Sequence, residues 1–198
     1  MTTTQAPIPT FNIIQKIRLL SLGINKWQIP TYTTNYELFK LYELAKSLPK
    51  EAIALEVGSY IGASSLMIAK GLKDKSKLFC VDTWNNDAMT EGNWDSYQEF
   101  SKNIKTVEDK IITIRNTSEQ AGIDFNKNID FIFIDGDHSY EGVKKDIDIW
   151  FPKLKSKGII IMHDIGWAEG VNKVINENIH PNLSKFEKLP NMYWGWKK

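Results

Sequence analysis

Short apolar runs rich in β-branched residues recur along the chain, and each has a length typical of a buried strand. The runs lie at residues 52–57, 78–81, 111–114, 131–134 and 159–162. Helical patterns separate them, as in the segments that follow Gly62 and Gly170. Strands that alternate with helices are joined by right-handed crossovers, so the pattern predicts a parallel sheet with helices on its faces.

The clearest helical pattern spans residues 140–154. Its apolar positions repeat at helical spacing and are Val143, Ile147, Trp150 and Leu154. Its charged positions face elsewhere and include Lys144, Lys145, Asp146 and Asp148. We therefore predict an amphipathic helix that covers the sheet with its apolar face and turns its charged face away from it.

After Pro181 the helical pattern stops, and residues 185–189 and 192–197 look like two last strands joined at Pro190 and Asn191. So short a connection makes a hairpin, whose strands are antiparallel. The predicted fold is therefore an α/β, Rossmann-like, doubly wound sheet of seven mostly parallel strands that ends in an antiparallel C-terminal hairpin.

The residues that precede the sheet carry two further helical patterns, at residues 13–22 and 36–48. This segment could form a lid over the core, a dimer surface in a homo-oligomer, or plain packing against the sheet. We predict a division into an N-terminal helical segment at residues 1–50 and a core at residues 51–198.

The charge balance narrows the class of partner. Lysine and arginine total 25 against 24 acids in 198 residues, so the net charge of +1 provides no field that would hold nucleic acid or an anionic membrane. A small-molecule partner is expected instead. The polar N-terminus lacks the blocks of a signal peptide, and Lys16 and Arg18 interrupt the longest apolar candidate for a membrane span. These features predict a cytoplasmic protein.

Four predicted strands end in an acid, namely Glu56, Asp82, Asp135 and Asp164. Ligands of open α/β sheets bind beyond the carboxyl ends of the strands, so we expect these acids to converge on one site.

The turn after the first strand favours a cationic ligand over a dinucleotide. Tyr60 stands where the dinucleotide fingerprint needs a second glycine, and its bulk blocks the approach of a pyrophosphate. Glu56 would repel phosphates but attract a sulfonium and an ammonium group. Asp82 follows Gly58 at close to the usual spacing of about 20 residues for a carboxylate that binds ribose hydroxyls. The expected ligand is a nucleoside without a pyrophosphate.

Four motifs carry a resemblance to a known family. EVGSYIGASS at 56–65 and FCVDTW at 79–84 resemble the class I S-adenosylmethionine-dependent methyltransferases. IDGDHSYEGV at 134–143 and GIIIMHD at 158–164 are similar to the subgroup of macrocin-type sugar O-methyltransferases and cephalosporin-hydroxylase-like proteins. The resemblance covers roughly residues 35–198.

The resemblance implies which residues bind S-adenosylmethionine. Glu56, Gly58 and Ser59 would line its methionine part and Asp82 its ribose, while Thr117 and Ser118 would contact the adenine edge. Further contacts are implied within the same motifs at Tyr60, Gly62, Ser64, Thr83, Trp84 and Asp135. Alternatively, the two glycines only allow a tight strand–helix turn, and Ser118 caps a short helix.

The other end of the site is predicted to hold a metal. Two carboxylates on neighbouring strand ends can bind a divalent cation, which would activate an acceptor hydroxyl. By the resemblance, Asp135 and Asp164 occupy the places where related enzymes hold Mg²⁺, and His163 falls where they often carry a further acidic ligand. A histidine there either favours a transition metal, leaves its place in the site to water, or is a buried core residue.

His138 is a second candidate for proton removal, because an imidazole titrates near neutral pH. Asp137 could orient it, or the turn around both residues could only satisfy backbone groups. Trp84, Trp94 and Trp167 follow strand ends and could form a wall of the acceptor pocket or pack loops.

The sequence thus predicts an O-methyltransferase that acts on a hydroxyl of a sugar or small natural product, assisted by Mg²⁺ or another divalent cation, with Asp135, His138 and Asp164 as the catalytic residues. Two alternatives stay open at this stage. One is a metal-free methyltransferase that uses His138 as its base, and the other is a non-catalytic partner protein that binds S-adenosylmethionine. A nucleic-acid methyltransferase is disfavoured because acids balance the basic residues.

Overall fold

Seven strands form one mixed sheet, and they account for every predicted apolar run. A computed structural model describes residues 29–85 and 94–198 together with Ile13 and Ile17. The strands are β1 (Ile53–Val57), β2 (Lys77–Asp82), β3 (Ile111–Arg115), β4 (Ile129–Ile134), β5 (Leu154–His163), β6 (Leu183–Lys188) and β7 (Met192–Lys197). Their order is β3-β2-β1-β4-β5-β7-β6. The first five strands pair in parallel, and β7 is antiparallel to both β5 and β6. The predicted fold class is confirmed.

Helices cover both faces of this sheet. They are α1 (Asn35–Ser47), α2 (Ala63–Gly71), α3 (Tyr97–Asn103), α4 (Ser118–Asp124), α5 (Tyr140–Trp150) and α6 (Glu169–Val174). The predicted helix over 140–154 is too long at its C-terminal end, because α5 stops at Trp150 and a 3₁₀ turn containing Pro152 follows. Proline removes a backbone donor and clashes with the preceding turn, so Leu154 begins β5 instead of closing the helix.

The two faces of the sheet bury separate apolar layers, as a doubly wound fold requires. On β4, Phe131 and Phe133 point into the layer under α1 and α2, whereas Ile132 and Ile134 point into the layer under α5 and α6. Helix α1 confirms the helical pattern at 36–48 and packs into the first layer. Most of the predicted helix at 13–22 lies outside the described residues, although Ile13 and Ile17 are helical.

The strand order reverses between β1 and β4, because β2 and β3 lie on one side of β1 and β4 and β5 on the other. Such a reversal opens a crevice at the carboxyl ends of the strands. Within the described part of the chain, no helix has the length and apolar character needed to cross a membrane.

Candidate functional site

The turn after β1 depends on Gly58. Its φ of 83° lies in the left-handed region that glycine adopts without strain. A Cβ at this position would lie 2.2 Å from the carbonyl oxygen of Asp135, so the turn passes directly against the end of β4. Gly58 also lines the main cavity of the crevice. Gly58 is therefore needed for the tight turn between strand and helix. Its backbone also faces the cavity, where a ligand could contact it.

Asp82 anchors the loops after β1 and β2. Its Oδ2 accepts hydrogen bonds from the backbone nitrogens of Ser59 and Tyr60, each 2.8 Å away, and its Oδ1 accepts one from that of Trp84 at 2.7 Å. Tyr60 and Trp84 both have positive φ angles, of 46° and 53°, a costly backbone conformation that these bonds help to hold. Asp82 remains in the cavity wall, so one carboxylate shapes the loops and faces the ligand space.

Glu56 lies beneath the cavity floor. Its side chain is fully buried and accepts hydrogen bonds from the hydroxyls of Ser59, at 2.7 Å, and Ser65. Burial raises the pKa of Glu56, and the surrounding serine hydroxyls partly oppose this. The role of Glu56 at the methionine part of the ligand stays a prediction. In the structure, Glu56 holds the β1 turn from below through Ser59.

Trp84 is also placed away from the cavity. Its ring is fully buried and packs against two aromatic rings. The centroid of the Trp84 ring lies 5.0 Å from that of Tyr97 and 4.8 Å from that of Phe100. Its Nε1 donates a hydrogen bond to the carbonyl of Tyr60 at 2.9 Å. Gly62 likewise does not line the cavity, and a Cβ at this position would meet Ile104 and Phe100. Trp84 and Gly62 therefore support the loop from behind, since apolar packing decides where their atoms lie.

A cavity of about 820 Å³ runs along the carboxyl ends of the strands. This volume is suited to a nucleoside-sized ligand with room for an acceptor. The residues of the predicted cofactor site that line it are Gly58, Ser59, Tyr60, Ser64, Asp82, Thr83, Thr117, Ser118 and Asp135. Residues 31–33, which precede α1, line it as well.

The end of the cavity near β3 is built around the start of α4. Thr117 caps this helix, with its Oγ1 accepting from the backbone nitrogen of Gln120 at 3.3 Å. Ser118 therefore does not act as the cap. Its Oγ accepts a hydrogen bond from Nε1 of Trp150 at 2.8 Å.

The prediction that the charged positions of α5 all face away from the sheet is wrong for Asp146. Only 5% of its surface is exposed, and it lines the cavity. Burial raises the pKa of Asp146 to about 6, and the nearby acids Asp137 and Glu119 add to this, while the hydrogen bond with Ser118 and the charge of Lys145 oppose it.

A pH-dependent gain in stability is expected for Asp146→Asn. The folded protein keeps the proton of Asp146 up to about pH 6, whereas an unfolded chain releases it near its ordinary value of about 3.9. This group therefore lowers the free energy of unfolding as the pH rises between these values. At neutral pH we expect the variant to be more stable by about 1–2 kcal/mol, and at pH 4 by much less. Urea unfolding of both proteins at the two pH values measures the difference, and a destabilised variant at neutral pH would contradict it.

Two acids and two histidines lie close together at the other end of the cavity, near the ends of β4 and β5. Nε2 of His138 lies 2.7 Å from Oδ2 of Asp164, and Nδ1 of His163 lies 3.0 Å from Oδ1 of Asp135 and 3.3 Å from Oδ1 of Asp164. Asp164 has a positive φ of 60° directly after β5. One ligand atom each from Asp135, His138 and Asp164 fall within 4.8 Å of one another, a spacing that could hold a metal ion.

His163 lies below this cluster and is only 3% exposed. Its Nε2 is 3.6 Å from Oε2 of Glu37, a buried acid on α1. Burial lowers the pKa of His163, but the nearby carboxylates of Asp135, Asp164 and Glu37 outweigh it and raise the pKa to about 12. The candidate metal cluster contains His138, and His163 lies against the carboxylates of Asp135 and Asp164 from below. Metal binding by His163 stays a prediction.

His138 and Asp164 form the exposed half of the cluster. The interaction with Asp164 raises the pKa of His138, and burial partly opposes it. Burial likewise acts to raise the pKa of Asp164, but its close contacts with His138 and His163 hold it far below its usual range. Asp137 does not orient His138 as proposed from the sequence. Its Oδ1 accepts from the backbone nitrogen of Ser139 at 2.7 Å and so orders the turn.

Two further side chains fix Asp164. Nε1 of Trp167 and Nδ2 of Asn191 each donate a hydrogen bond to its Oδ1 at 2.8 Å. Trp167 is 63% exposed and lines the cavity, as expected for an acceptor wall, whereas Trp94 contacts the edge of the Tyr60 ring. Sequence reasoning missed Asn191 and Glu37, because neither follows a parallel strand. Only the pairing of β7 with β5 brings Asn191 near the site.

Comparison with known proteins places the chain in a family. A family model described as a methyltransferase domain matches residues 55–165, a span that contains the β1 turn, Asp82 and the acids of the metal cluster. The chain therefore belongs to this family of methyltransferase domains. The protein y4gI of Sinorhizobium fredii is 28% identical over 116 residues, which are 56% of this chain and 13% of that protein. The match thus spans only a small part of that relative's length.

Solved structures share the fold. An O-methyltransferase from Bacillus cereus, in complex with SAH, superposes with a TM-score of 0.64 at 14% identity and covers 96% of this chain and 92% of that one. The MycE methyltransferase from the mycinamycin biosynthetic pathway, in complex with Mg, SAH and mycinamycin VI, gives a TM-score of 0.60 at 12% identity. That match covers 92% of this chain and 54% of MycE.

Proposed function

We propose that the protein is an S-adenosylmethionine-dependent O-methyltransferase that methylates a hydroxyl group of a sugar or another small natural product with the help of a divalent cation. The observation that carries the proposal is that one cavity joins the β1 turn and Asp82 to a cluster of Asp135, His138 and Asp164. A methyl donor in the first part would thus face an activated acceptor in the second. The resemblance to macrocin-type enzymes supports the acceptor class.

S-adenosylmethionine suits the first part of the cavity better than a dinucleotide does. The ring of Tyr60 and the carboxylate of Asp82 both line the space after β1, where a pyrophosphate would need small residues and donors. Asp135, whose backbone carbonyl lies against the glycine turn, also lines the cavity and adds a second carboxylate to it. These negative charges favour a sulfonium ligand with an ammonium group.

The side chains at the reaction end fit a divalent cation. Asp135 and Asp164 offer oxygen atoms, and His138 offers Nε2, which must be neutral to bind a metal. A mixed set of oxygen and nitrogen ligands accepts Mn²⁺ or another transition metal as well as Mg²⁺. A cation bound there would lower the pKa of an acceptor hydroxyl and orient its oxygen.

The residues of the chain hold this arrangement in place. Trp167 and Asn191 keep Asp164 in one orientation, and His163 bridges Asp135 and Asp164 from below. The exposed face of Trp167 offers a flat surface for an acceptor, and its ring centroid lies 4.9 Å from that of His138. The acceptor is therefore expected to lie against Trp167.

Binding of S-adenosylhomocysteine tests the cofactor proposal. A ligand that binds only the folded protein raises the melting temperature by mass action. At millimolar S-adenosylhomocysteine we expect a clear rise of several degrees, measured by differential scanning fluorimetry. Adenosine 5′-diphosphate is the control, because the acids of the site should repel its phosphates. A shift with the diphosphate alone would contradict the proposal.

A metal-free mechanism is the second candidate, and the short contact between His138 and Asp164 favours it. Asp164 would orient the imidazole, and His138 would take the proton of the acceptor hydroxyl as a general base. A non-catalytic binding protein would instead retain S-adenosylmethionine without consuming it when acceptors and metal are supplied.

A further inference from the structure

Asp146 is a buried carboxylate that the proposed chemistry does not use. It lies in the middle of α5, whose neighbouring positions Val143, Ile147 and Trp150 are buried in the core. An acid in such a place is costly unless a partner compensates for its burial. Only 5% of Asp146 is exposed, yet it belongs to the cavity wall, so its small exposed surface faces the ligand space.

Ser118 and Trp150 show where this carboxylate lies. Nε1 of Trp150 donates to Oγ of Ser118 at 2.8 Å. Asp146 lies one helical turn before Trp150 on α5, so its side chain lies on the same side of the helix as this bond. A carboxylate accepts at two oxygen atoms, so Asp146 keeps acceptor capacity for a donor that enters the cavity.

The sheet order shows which part of a ligand would reach Asp146. Residue Ser118 follows β3, whereas His138 and Asp164 follow β4 and β5. Four strand spacings of about 4.8 Å separate β3 from β5, so the ends of the cavity lie roughly 19 Å apart. A nucleoside whose reactive group faces Asp164 and whose ribose lies near Asp82 must place its base beside Ser118 and Asp146.

We propose that Asp146 selects the base of the cofactor by accepting a hydrogen bond from the exocyclic amino group of adenine. This inference rests on the proposed function and deepens it. An ionised carboxylate only accepts hydrogen bonds, so it suits the amino group of adenine and repels the carbonyl oxygen that hypoxanthine carries at the same position. Asp146 is largely ionised above about pH 7, because its pKa is about 6.

Two ligands and three proteins test this assignment. Dissociation constants for S-adenosylhomocysteine and S-inosylhomocysteine are measured by calorimetry at about pH 7.5, where Asp146 is ionised. The wild type should prefer the adenine ligand by at least about 30-fold, and Asp146→Asn should reduce this preference by at least about 10-fold, because an amide can donate to the carbonyl of hypoxanthine. Asp148→Asn is the matched control, since Asp148 lies on the same helix, is 57% exposed and pairs with Lys144.

Each outcome bears on the assignment. A preference that falls in Asp146→Asn and stays unchanged in Asp148→Asn supports it. Equal preferences in the wild type and Asp146→Asn would overturn it. A wild type that binds both ligands with equal affinity would also overturn it, even before any variant is measured. A wild type that binds neither ligand would overturn the proposed function itself, so the two failures are distinguishable. A purely structural role would change the affinities for both ligands alike.

Discussion

Asp164→Asn should lower the turnover number by at least about 100-fold while leaving the dissociation constant of S-adenosylhomocysteine within about threefold. Asp164 lies at the reaction end of the cavity, away from the β1 turn and Asp82 that face the cofactor. The amide keeps the size of the side chain and removes the charge that a divalent cation or an imidazolium needs. Steady-state kinetics and calorimetry on the same preparation measure the two quantities.

Asp137→Asn is the matched control, because Asp137 lies on the neighbouring loop but outside the cluster of possible metal ligands. Its turnover should stay within about threefold of the wild type. An Asp164→Asn enzyme with wild-type turnover would remove this residue from the reaction.

A chelator distinguishes the metal-assisted mechanism from the His138-base mechanism, whereas Asp164→Asn alone does not. Because Asp164 both offers a metal ligand and contacts His138, its loss should damage the enzyme under either mechanism. The metal mechanism predicts that chelation stops the wild type and that Mg²⁺ or Mn²⁺ restores it. The His138-base mechanism predicts full activity in chelator and a large loss in His138→Ala.

Gly58→Ala should destabilise the fold by at least about 3 kcal/mol. The new Cβ would lie 2.2 Å from the carbonyl oxygen of Asp135, and the residue would keep a φ of 83° that alanine rarely adopts. The neighbouring atoms are backbone at the end of β4, so they cannot move aside without opening the sheet. Urea unfolding followed by circular dichroism measures the loss.

Gly136→Ala is the control for this substitution. Its new Cβ would meet Val57 at 3.5 Å, an ordinary contact distance, so we expect a change within about 1 kcal/mol. A Gly58→Ala protein as stable as Gly136→Ala would show that the turn after β1 relaxes more easily than its contact with β4 indicates.

Local patterns in the sequence were sufficient to predict the positions of the strands and the edge of the sheet that carries the site. Apolar runs of β-branched residues become β1 to β5 because burial on both faces requires them. The motifs after β1 and β2 predicted a cofactor site whose residues mostly line the cavity. The same patterns misjudged the end of α5, where Pro152 outweighs the helical spacing of Leu154.

The roles of individual polar residues were decided by the tertiary structure. Strand ends predicted that Glu56, Asp82, Asp135 and Asp164 converge, and only packing shows that Glu56 lies under the floor of the cavity whereas the others line it. The alternation of side chains along β5 cannot say what surrounds His163. Its ring lies between Glu37 from α1 and the carboxylates of Asp135 and Asp164.

The sequence by itself therefore determined the fold class, the edge that holds the site and the acids that meet there, since these follow from hydrophobic periodicity and the parallel direction of the strands. The tertiary structure decided that His138 lies beside Asp135 and Asp164 and that Asp146 faces the cavity. Both depend on contacts between segments distant in the chain, such as Asp164 with His138 and Ser118 with Trp150. Local spacing carries no information about such contacts, because they arise only when the helices pack on the sheet.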